Sequence, residues 1–539
     1  MGKFANEFTY RKFMEEGREL EFDRLFDGAV EKVKRELLGK KYPMYIGGRE
    51  VIASEELAEY SPIDGTLIGR FQKGSREHAR LAVEAAHKSF DPWSSTDYKD
   101  RVAIMNKAAD LFSKSKFEVA AALSIENGKT RYESIGEVDE AIDFLHYYAL
   151  ELERNKGYSR KTSVGASSAK VSAGFQGAPG REEKVRIRLR PYGVFGVIAP
   201  FNFPISISVG MSSGALITGN TVVFKPSSTD NMTMLTGLMI YRIFKSAGVP
   251  DGAFNYVTGP GSDVGDELAT NPNVSGIAFT GSKETGIGMI RRSYESGTQK
   301  TFIVEMGGKN PAIVSKHADL SEAVPGIISA AYGFCGQKCS ALSRVYVHES
   351  RKEEFISKLL DGIRSIRMGN PLLKENYMGP LISKKALERY AASVDEARKS
   401  GRLVYGGNAL DNGLNGAYVE PVLAELDHSN TLFHKELFLP FLVVDTYKNF
   451  DEALRKANDS EYGLTAGLYS KNKKEIRDFI KHIESGVVYV NRETSATTGA
   501  IVGLHTFVGW KGSGISGKGT GSKFYLQQFM REQSESVVG

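Results

Sequence analysis

The sequence predicts an α/β fold built on a mainly parallel, doubly wound sheet. Between Gly193 and Glu305, short apolar strands alternate with helical segments, which is typical of parallel sheets with helical crossovers. A second strand–helix series starts at Pro311 and predicts a second α/β domain. At 539 residues, the chain is long enough for several domains or one composite enzyme.

The first part of the chain is predicted to be helical over residues 6–38. Apolar residues recur there near the 3.6-residue helical period, from Phe22 to Leu37. We interpret the segment as an element docked on the body of the protein. A free amphipathic membrane helix is the alternative, although its polar side carries mixed charges. Ser75 fits the N-cap of a later helix, and further helices are predicted at Lys99–Ser113, Phe117–Asn127 and Ile135–Glu153.

Residues 155–183 are rich in Ser, Gly, Ala and Lys, a composition typical of a flexible linker. Apolar and basic residues then alternate from Lys184 to Arg190, which predicts a strand with one apolar face. We interpret this strand as part of a β-flap outside the main domain. The strands predicted for the parallel sheet follow at Val194–Ala199, Thr221–Lys225, Phe254–Val257, Ser275–Phe279 and Thr301–Val304.

Three ends of these strands carry residues suited to binding a nucleotide. Asn202 follows the first strand, Lys225 ends the next, and Phe279–Gly286 opens a helix. Parallel sheets bind ligands at the carboxyl ends of their strands, and a helix amino terminus supplies N–H donors for a diphosphate. Lys225 is suited to hold ribose oxygens, and a solvated surface lysine is the alternative. The usual Gly-x-Gly-x-x-Gly fingerprint does not occur at the expected place.

Cys339 is the candidate nucleophile. It lies between Lys338 and Ser340, and Cys335 is the other cysteine of the chain. A thiol becomes a nucleophile when cationic or hydrogen-bond-donating groups stabilise its thiolate. A small buried apolar residue is the alternative. The surrounding sequence does not supply the His or Asp ligands that would complete a metal site, so no metal is expected, and so few cysteines suit a reducing interior.

The carboxyl-terminal half contains a candidate carboxylate and a glycine-rich stretch. Glu305 ends a predicted strand just before Gly307, where a surface turn residue is the alternative. From Thr497 to Gly521 the chain is dense in glycine, which indicates either a linker or a loop whose backbone amides approach a ligand. Apolar residues within the stretch, among them Trp510, favour the loop.

Composition and charge argue against several classes of protein. The balance of 70 basic and 65 acidic residues, net +5, carries no long basic block, so no nucleic-acid partner is expected. No apolar run reaches membrane-spanning length, so no membrane span is expected. The first residues lack the apolar core of a secretory signal, and a cytoplasmic location is expected.

Over about residues 45–535, the sequence resembles the aldehyde dehydrogenase superfamily. The motifs Pro-Phe-Asn-Phe-Pro, Val-Phe-Lys-Pro-Ser, Phe-Thr-Gly-Ser, Glu-Met-Gly-Gly-Lys-Asn-Pro, Gly-Gln-Lys-Cys-Ser and Glu-Leu-Phe-Leu-Pro occur in the family's order. Leu439 stands where the family usually has glycine. Within the superfamily, Gly336–Ala341, Thr498–Gly503 and the amino-terminal helix resemble the branch that oxidises glutamate γ-semialdehyde.

The resemblance implies a Rossmann-like cofactor domain, an α/β catalytic domain and a β-flap oligomerisation element. The expected parts are an amino-terminal helical extension at 1–45, an NAD(P)-binding domain at 46–159 and 192–304, a flap with an anchor loop at 160–191 and 496–539, and a catalytic domain at 305–495. A homo-oligomer, a dimer or higher, is implied as well.

The implied reaction is the NAD(P)-dependent oxidation of L-glutamate γ-semialdehyde, formed from 1-pyrroline-5-carboxylate, to L-glutamate in proline degradation. Cys339 would attack the small-molecule aldehyde to give a thiohemiacetal and then a thioester. Asn202 would help to form the oxyanion hole, and Glu305 would activate water. The residues implied to bind the cofactor, NAD or NADP, are Pro200, Phe201, Lys225, Ser228, Thr280, Gly281, Ser282, Glu436 and Phe438.

Thr498–Gly503 resembles the family's aldehyde anchor loop. The backbone amides of Gly499 and Ala500, with the Ser340 hydroxyl, are implied to hold the substrate's α-carboxylate. Phe507 would pack on its aliphatic part, and a core aromatic is an equally good interpretation. Two alternatives stay open for the whole chain. One is another aldehyde dehydrogenase, for example for succinate semialdehyde or a sugar aldehyde, and the other is a non-catalytic cofactor-binding member.

Overall fold

The computed structural model describes residues 4–164, 183–229 and 232–538. Within these residues, two seven-stranded sheets carry helices on their faces, and smaller sheets extend from them. The predicted α/β class is confirmed. Most of the predicted linker, residues 165–182, lies outside the described part of the chain.

The first large sheet contains all the strands predicted between Gly193 and Glu305. Its central strands are buried along their whole length, as expected for apolar strands covered by helices on both faces. These strands run parallel, and an antiparallel hairpin closes one edge. The strand order is Thr301–Glu305, Val274–Thr280, Val194–Ile198, Thr221–Lys225, Phe254–Tyr256, Met44–Ile46 and Arg49–Val51.

The second large sheet follows directly after Glu305, as predicted from the second strand–helix series. Its strands run parallel except at the edge strand Arg402–Tyr405. The order is Arg402–Tyr405, Val422–Glu425, Phe441–Tyr447, Leu342–His348, Asn310–Val314, Thr465–Tyr469 and Val487–Val490. A separate apolar core lies beneath each large sheet.

The helices cover both large sheets. Their bounds are Thr9–Glu15, Glu19–Glu36, Arg76–Ser95, Tyr98–Lys114, Lys116–Asn127, Arg131–Arg154, Ser206–Ile217, Met234–Ala247, Asp266–Thr270, Lys283–Glu295, Leu320–Tyr332, Lys352–Arg364, Lys384–Ser400, Phe450–Asn458 and Lys473–His482. Ser75 begins its helix as predicted, and its N–H donates to His78 Nδ1 at 3.1 Å. The helix predicted from Ile135 starts earlier, because Thr130 and Glu133 form a capping box.

The amino-terminal segment forms two helices rather than one continuous helix. Gly17 adopts φ +65° between them, a backbone conformation that ends a helix. Phe22 and Phe26 are fully buried, and the Phe22 ring lies 5.5 Å from Phe117 and 6.0 Å from Tyr132 between centroids. These contacts confirm the interpretation of the segment as a docked element.

The predicted flap strand is present, and it pairs on both sides. Glu183–Pro191 lies antiparallel between Ser159–Val164 and Met530–Val538. The linker prediction is therefore wrong for Ser159–Val164, because pairing with a neighbouring strand overrides the polar composition of that segment. The other small elements are the sheet of Lys40–Tyr42, Leu67–Gln72 and Glu56–Tyr60 and the ladder of Tyr462–Gly463 with Trp510–Lys511.

Among the described residues, no helix is both long enough and apolar enough to cross a membrane.

Candidate active site

The segment that carries Cys339 is a tight irregular turn. The helix Leu320–Tyr332 ends just before it, and Phe334 and Cys335 adopt left-handed backbone angles of φ +50° and +53°. Gly336 also has positive φ, and a Cβ there would collide with the Leu439 carbonyl oxygen. The two cysteines therefore do not share a helix face. Cys335 is buried and its thiol donates to the Gly379 carbonyl at 3.0 Å, whereas Cys339 is partly exposed.

A cleft of about 900 Å³ runs from the carboxyl ends of the first sheet to Cys339. It is lined by most of the residues predicted for the cofactor and by Asn202, which was predicted for catalysis. They are Pro200, Phe201, Asn202, Lys225, Thr280, Gly281, Ser282, Glu436 and Phe438. The strands of both large sheets bring these residues together, although they are far apart in the chain.

Lys225 supports the assignment of the cleft to a nucleotide. The side chain is only 5% exposed, and its ammonium donates to the Pro226 carbonyl at 3.2 Å. Burial lowers the pKa of Lys225 to about 8, since the charged form is poorly solvated. The buried ammonium carries three protons, and one protein acceptor is seen for it among the described residues. Its other N–H groups are left to donate to the hydroxyl oxygens of a ligand. The surface-lysine alternative for this residue is wrong.

The helix Lys283–Glu295 points its amino terminus into the cleft. Ser282 is its N-cap, and the hydroxyl accepts from the Thr285 N–H at 3.2 Å. Across the cleft, Glu436 accepts from the Gly308 N–H at 2.8 Å. A Cβ at Gly307 would collide with the Glu436 carboxylate, so glycine is required for this close approach. Unpaired helix N–H groups on one side and a fixed carboxylate on the other suit a dinucleotide with its diphosphate and ribose.

Glu305 lies beside the cleft rather than among the described residues that line it. Its carboxylate accepts from the Gly509 N–H at 3.2 Å, and its backbone forms a bridge to Gly514. The glycine-rich stretch therefore packs against the end of the first sheet and is not a free linker. Burial raises the pKa of Glu305 to about 8, against the opposing effect of the Gly509 hydrogen bond.

The surroundings of Cys339 favour the protonated form of its thiol. Burial, and then the negative charges of Glu436 and Glu305, raise its pKa to about 12, whereas the hydrogen-bonding Ser340 N–H lowers it. Because the thiolate is the nucleophile, a neighbouring base has to accept the proton when the sulfur reacts. Glu305, whose pKa lies near 8, is suited to this transfer.

A second cavity, of about 410 Å³, lies on the other side of the cysteine turn. Gly499, Ala500, Phe203 and Lys338 belong to its lining. Lys338 lines this cavity and the adjoining Cys339 lines the cleft, so the cysteine turn lies between the two spaces. We refer to the smaller space as the substrate-side cavity.

The amino-terminal segment forms part of the wall of the substrate-side cavity. The Asn6 side-chain amide donates to Asp143 at 2.9 Å and to the Val502 carbonyl at 3.0 Å. Thr9 donates through its N–H and its hydroxyl to Asp139, both at 2.7 Å. The first described residues of the chain are thus fastened to the end of the anchor loop.

A buried ion pair beside this cavity was not found from the sequence. Lys129 pairs with Glu137, and both side chains are fully buried. Glu137 also accepts from the N–H groups of Ile205 and Ser206 at 2.8 and 3.2 Å, at the start of a helix. The Lys129 ammonium lies 3.6 Å above the Phe203 ring centroid. The feature of the sequence that could have indicated the pair is the presence of acidic residues within the largely buried helix Arg131–Arg154.

Three predicted contact residues are placed away from the cavities. The Ser228 hydroxyl donates to the Pro226 carbonyl at 2.9 Å, and its neighbours Ser227 and Thr229 line the cleft instead. Ser340 is buried, and its carbonyl accepts from Thr497 at 2.9 Å. Phe507 pairs with Thr520 in a bridge. The roles assigned to Ser228, Ser340 and Phe507 stay predictions.

Comparisons with known proteins agree with this geometry. The aldehyde dehydrogenase family model matches residues 51–534. The 1-pyrroline-5-carboxylate dehydrogenase 1 of Halalkalibacterium halodurans is 35% identical over 522 residues, which span 96% of each chain. The 1-pyrroline-5-carboxylate dehydrogenase 2 of Bacillus subtilis is 36% identical over 510 residues, or 93% of this chain and 94% of that one.

A solved structure of 1-pyrroline-5-carboxylate dehydrogenase from Thermus with bound NAD superimposes with a TM-score of 0.89 at 33% identity. The match covers 100% of this chain and 99% of the other. The resemblance inferred from the motifs is confirmed over nearly the whole length. This chain belongs to the aldehyde dehydrogenase family.

Proposed function

We propose that the protein oxidises L-glutamate γ-semialdehyde, the open form of 1-pyrroline-5-carboxylate, to L-glutamate, with NAD⁺ as the hydride acceptor. The observation that carries the proposal is the position of Cys339 between a nucleotide-sized cleft and a cavity lined by Gly499 and Ala500. The names of the relatives in Halalkalibacterium, Bacillus and Thermus support the same substrate.

In the proposed reaction, the Cys339 sulfur attacks the aldehyde carbon. The thiol proton moves to a base, and Glu305, whose charge acts on the thiol and whose pKa is about 8, is suited to accept it. Negative charge then develops on the former carbonyl oxygen. Asn202 is 3% exposed and lines the cleft, so its side-chain amide is suited to donate a hydrogen bond to that oxygen.

The cofactor would be held by Lys225 at the ribose, by the start of the helix Lys283–Glu295 at the diphosphate, and by Glu436 at the second ribose. NAD⁺ bound there supplies the acceptor for the hydride that leaves the thiohemiacetal carbon. Cys339 is then left as a thioester. Once the first proton has passed to solvent, Glu305 would take a proton from the water that hydrolyses the thioester. That proton would return to the departing sulfur, which restores the thiol as the product is released.

Use of NADP⁺ beside NAD⁺ is part of the proposal. Neither Ser228 nor the cleft-lining Ser227 and Thr229 carries a negative charge that would repel a 2′-phosphate. The ratio of kcat/KM for the two cofactors tests this. A preference for NAD⁺ above roughly a thousandfold, about 4 kcal/mol, would contradict it.

Assembly through the flap is also proposed, as a dimer or a larger homo-oligomer. Ile187 and Val537 are 42% and 64% exposed on opposite faces of the flap, and each exposes apolar surface that suits burial against a partner subunit. Static light scattering of the full chain tests this, and a monomeric mass at micromolar concentration would contradict it. Both cysteines are free, which supports a cytoplasmic location.

The experiment that tests the function is a spectrophotometric assay of NADH formation from 1-pyrroline-5-carboxylate, with Cys339→Ala and Cys335→Ala. Cys335 is the matched control, because it is buried and bonded to Gly379 away from the cleft. We expect turnover by the wild type and by Cys335→Ala, and none by Cys339→Ala. Activity on another aldehyde alone would reject the proposed substrate, and full activity in Cys339→Ala would reject the nucleophile.

A further inference from the structure

Two carbonyl groups at the start of the anchor loop are each held by side chains of the segment just before it. Arg492 Nη1 donates to the carbonyl oxygens of Thr498 and Gly499 at 2.9 and 2.8 Å. The Tyr489 hydroxyl donates to the same Gly499 oxygen at 2.8 Å. The Ser495 hydroxyl donates to the Thr498 oxygen, also at 2.8 Å.

These bonds fix the direction of two N–H groups. In a planar trans peptide the carbonyl and the following N–H point in opposite directions. Because Arg492 holds the Thr498 carbonyl, the Gly499 N–H points away from Arg492. The bond to the Gly499 carbonyl turns the Ala500 N–H away in the same manner. Gly499 and Ala500 both line the substrate-side cavity. Within the described part of the chain, neither N–H donates to a protein acceptor.

The groups that hold the carbonyls are themselves fixed. Tyr489 is 7% exposed and belongs to the strand Val487–Val490 of the second sheet. The Arg492 guanidinium lies 4.3 Å above the Tyr489 ring centroid, where a cation–π contact restricts it. Gly499 adopts φ +79°, a backbone conformation that glycine reaches without strain. The turn held by these bonds is therefore unstrained.

We infer that Tyr489 and Arg492 form a carbonyl clamp that points the amides of Gly499 and Ala500 at the substrate's α-carboxylate, and thereby sets the preference for aldehydes that carry one. This inference rests on the proposed function. Both clamp residues are positioning residues, since their contacts are to the loop carbonyls. Two adjacent N–H donors suit the two oxygens of a carboxylate.

The test compares Tyr489→Phe and Arg492→Lys with the wild type. Phenylalanine keeps the ring under the guanidinium but removes the hydroxyl, and lysine keeps the charge but loses the planar fork. Tyr418→Phe is the matched control, because it removes a buried tyrosine hydroxyl that donates to the Ile63 carbonyl at 3.1 Å, away from the loop. Steady-state kinetics are measured with 1-pyrroline-5-carboxylate and with propanal, at saturating NAD⁺.

We expect the KM for 1-pyrroline-5-carboxylate to rise about tenfold in both clamp variants, from the loss of about one well-oriented hydrogen bond to a charged group. The kcat/KM for propanal should stay within about twofold, because propanal has no carboxylate to hold. Tyr418→Phe should leave both aldehydes unaffected. An equal loss on both aldehydes, or an unchanged KM for 1-pyrroline-5-carboxylate, would overturn the clamp.

Calorimetric binding of L-glutamate gives a second readout that does not need turnover. Weaker binding by about tenfold in the clamp variants supports the clamp, even if the wild type fails to oxidise 1-pyrroline-5-carboxylate and the proposed function falls. Equal glutamate binding by the wild type and both variants, or none by the wild type, would overturn the clamp.

Discussion

The side-chain amide of Asn310 donates to the backbone carbonyl of Cys339 at 2.8 Å. The same nitrogen donates to the Ala341 carbonyl at 2.9 Å, and the Asn310 oxygen accepts from the Thr465 N–H at 3.0 Å. Asn310 is 1% exposed and begins a strand of the second sheet. One buried side chain thus ties the backbone of the nucleophile to two strands.

Replacing Asn310 with alanine should impair both stability and catalysis. Three backbone groups lose their hydrogen-bond partner. Each one left buried without a partner lowers the free energy of unfolding by about 1–3 kcal/mol. The thiol also loses its fixed backbone, so we expect kcat to fall by at least about tenfold. The measurements are thermal unfolding and the single-turnover rate.

The matched control for that variant is Asn255→Ala. Asn255 is equally buried and also bonds three backbone groups, the carbonyls of Val222 and Gly252 and the Gly47 N–H, at a site far from the cysteine. A similar loss of stability with an unchanged kcat is expected there. Equal kcat in the two variants would argue against a positioning role for Asn310.

The pKa of Glu305, raised by burial to about 8, predicts a rising limb in the pH profile of kcat/KM for the aldehyde at saturating NAD⁺. The carboxylate accepts protons only when ionised, so activity should increase as the pH passes through about 8. Glu305→Gln should remove both the limb and most of the turnover. A profile that stays flat from pH 6 to 9 would contradict this assignment.

The same group makes stability depend on pH. Its folded pKa of about 8 exceeds the ordinary value of 4.5, so the folded state binds more protons between these two values. The stabilising contribution is complete below pH 4.5 and is lost as the pH rises towards 8. Over this pH range, the unfolding midpoint temperature of Glu305→Gln should fall less steeply than that of the wild type. Identical pH dependence in the two proteins would contradict the raised pKa.

Removing the charge of Glu436 should make Cys339 more reactive. Burial and this carboxylate raise the pKa of the thiol, so Glu436→Gln should increase the thiolate fraction. At pH 8.5, alkylation by iodoacetamide should accelerate roughly threefold to tenfold, since one pKa unit is tenfold in thiolate. Mass spectrometry in a Cys335→Ala background follows the reaction. The control is Glu420→Gln. The Glu420 carboxylate accepts a hydrogen bond from Asn408 and does not line the cleft, so this variant should be alkylated at the rate of Cys335→Ala alone.

Breaking the buried pair of Lys129 and Glu137 should be costly. Lys129→Met leaves a buried carboxylate without its counter-charge, and we expect a loss of about 3–5 kcal/mol in unfolding free energy. Adding Glu137→Gln neutralises that carboxylate and still leaves an oxygen to accept from Ile205. The double variant should therefore be more stable than Lys129→Met alone. Chemical denaturation measures both, and a double variant of lower stability would contradict the argument.

The sequence made the cleft predictable because its residues follow strand ends. Parallel strands carry their carboxyl ends to one edge, so Asn202, Lys225 and Thr280 had to meet once the alternation was recognised. Single side-chain directions were not predictable in the same way. Ser227 and Thr229 line the cleft and Ser228 between them does not, a difference set by local backbone turns.

The contacts that escaped prediction depend on the folded geometry of the backbone rather than on local composition. Lys129 and Glu137 meet across the start of the helix Arg131–Arg154, and the acidic residues of that helix do not by themselves indicate which one pairs with Lys129. Ser159–Val164 becomes a strand because Glu183–Pro191 pairs with it, which composition does not reveal. Tyr489 and Arg492 hold the anchor loop through carbonyl groups, and every residue possesses a carbonyl.

The bond between Asn6 and the Val502 carbonyl joins positions 496 apart, and it has a consequence for the newly made chain. At about 5–20 residues per second, a ribosome needs roughly 25–100 s to make the second partner after the first. Cys339 leaves the ribosome before Gly499 does. A growing chain therefore carries its reactive sulfur for some time before the loop that selects the aldehyde exists.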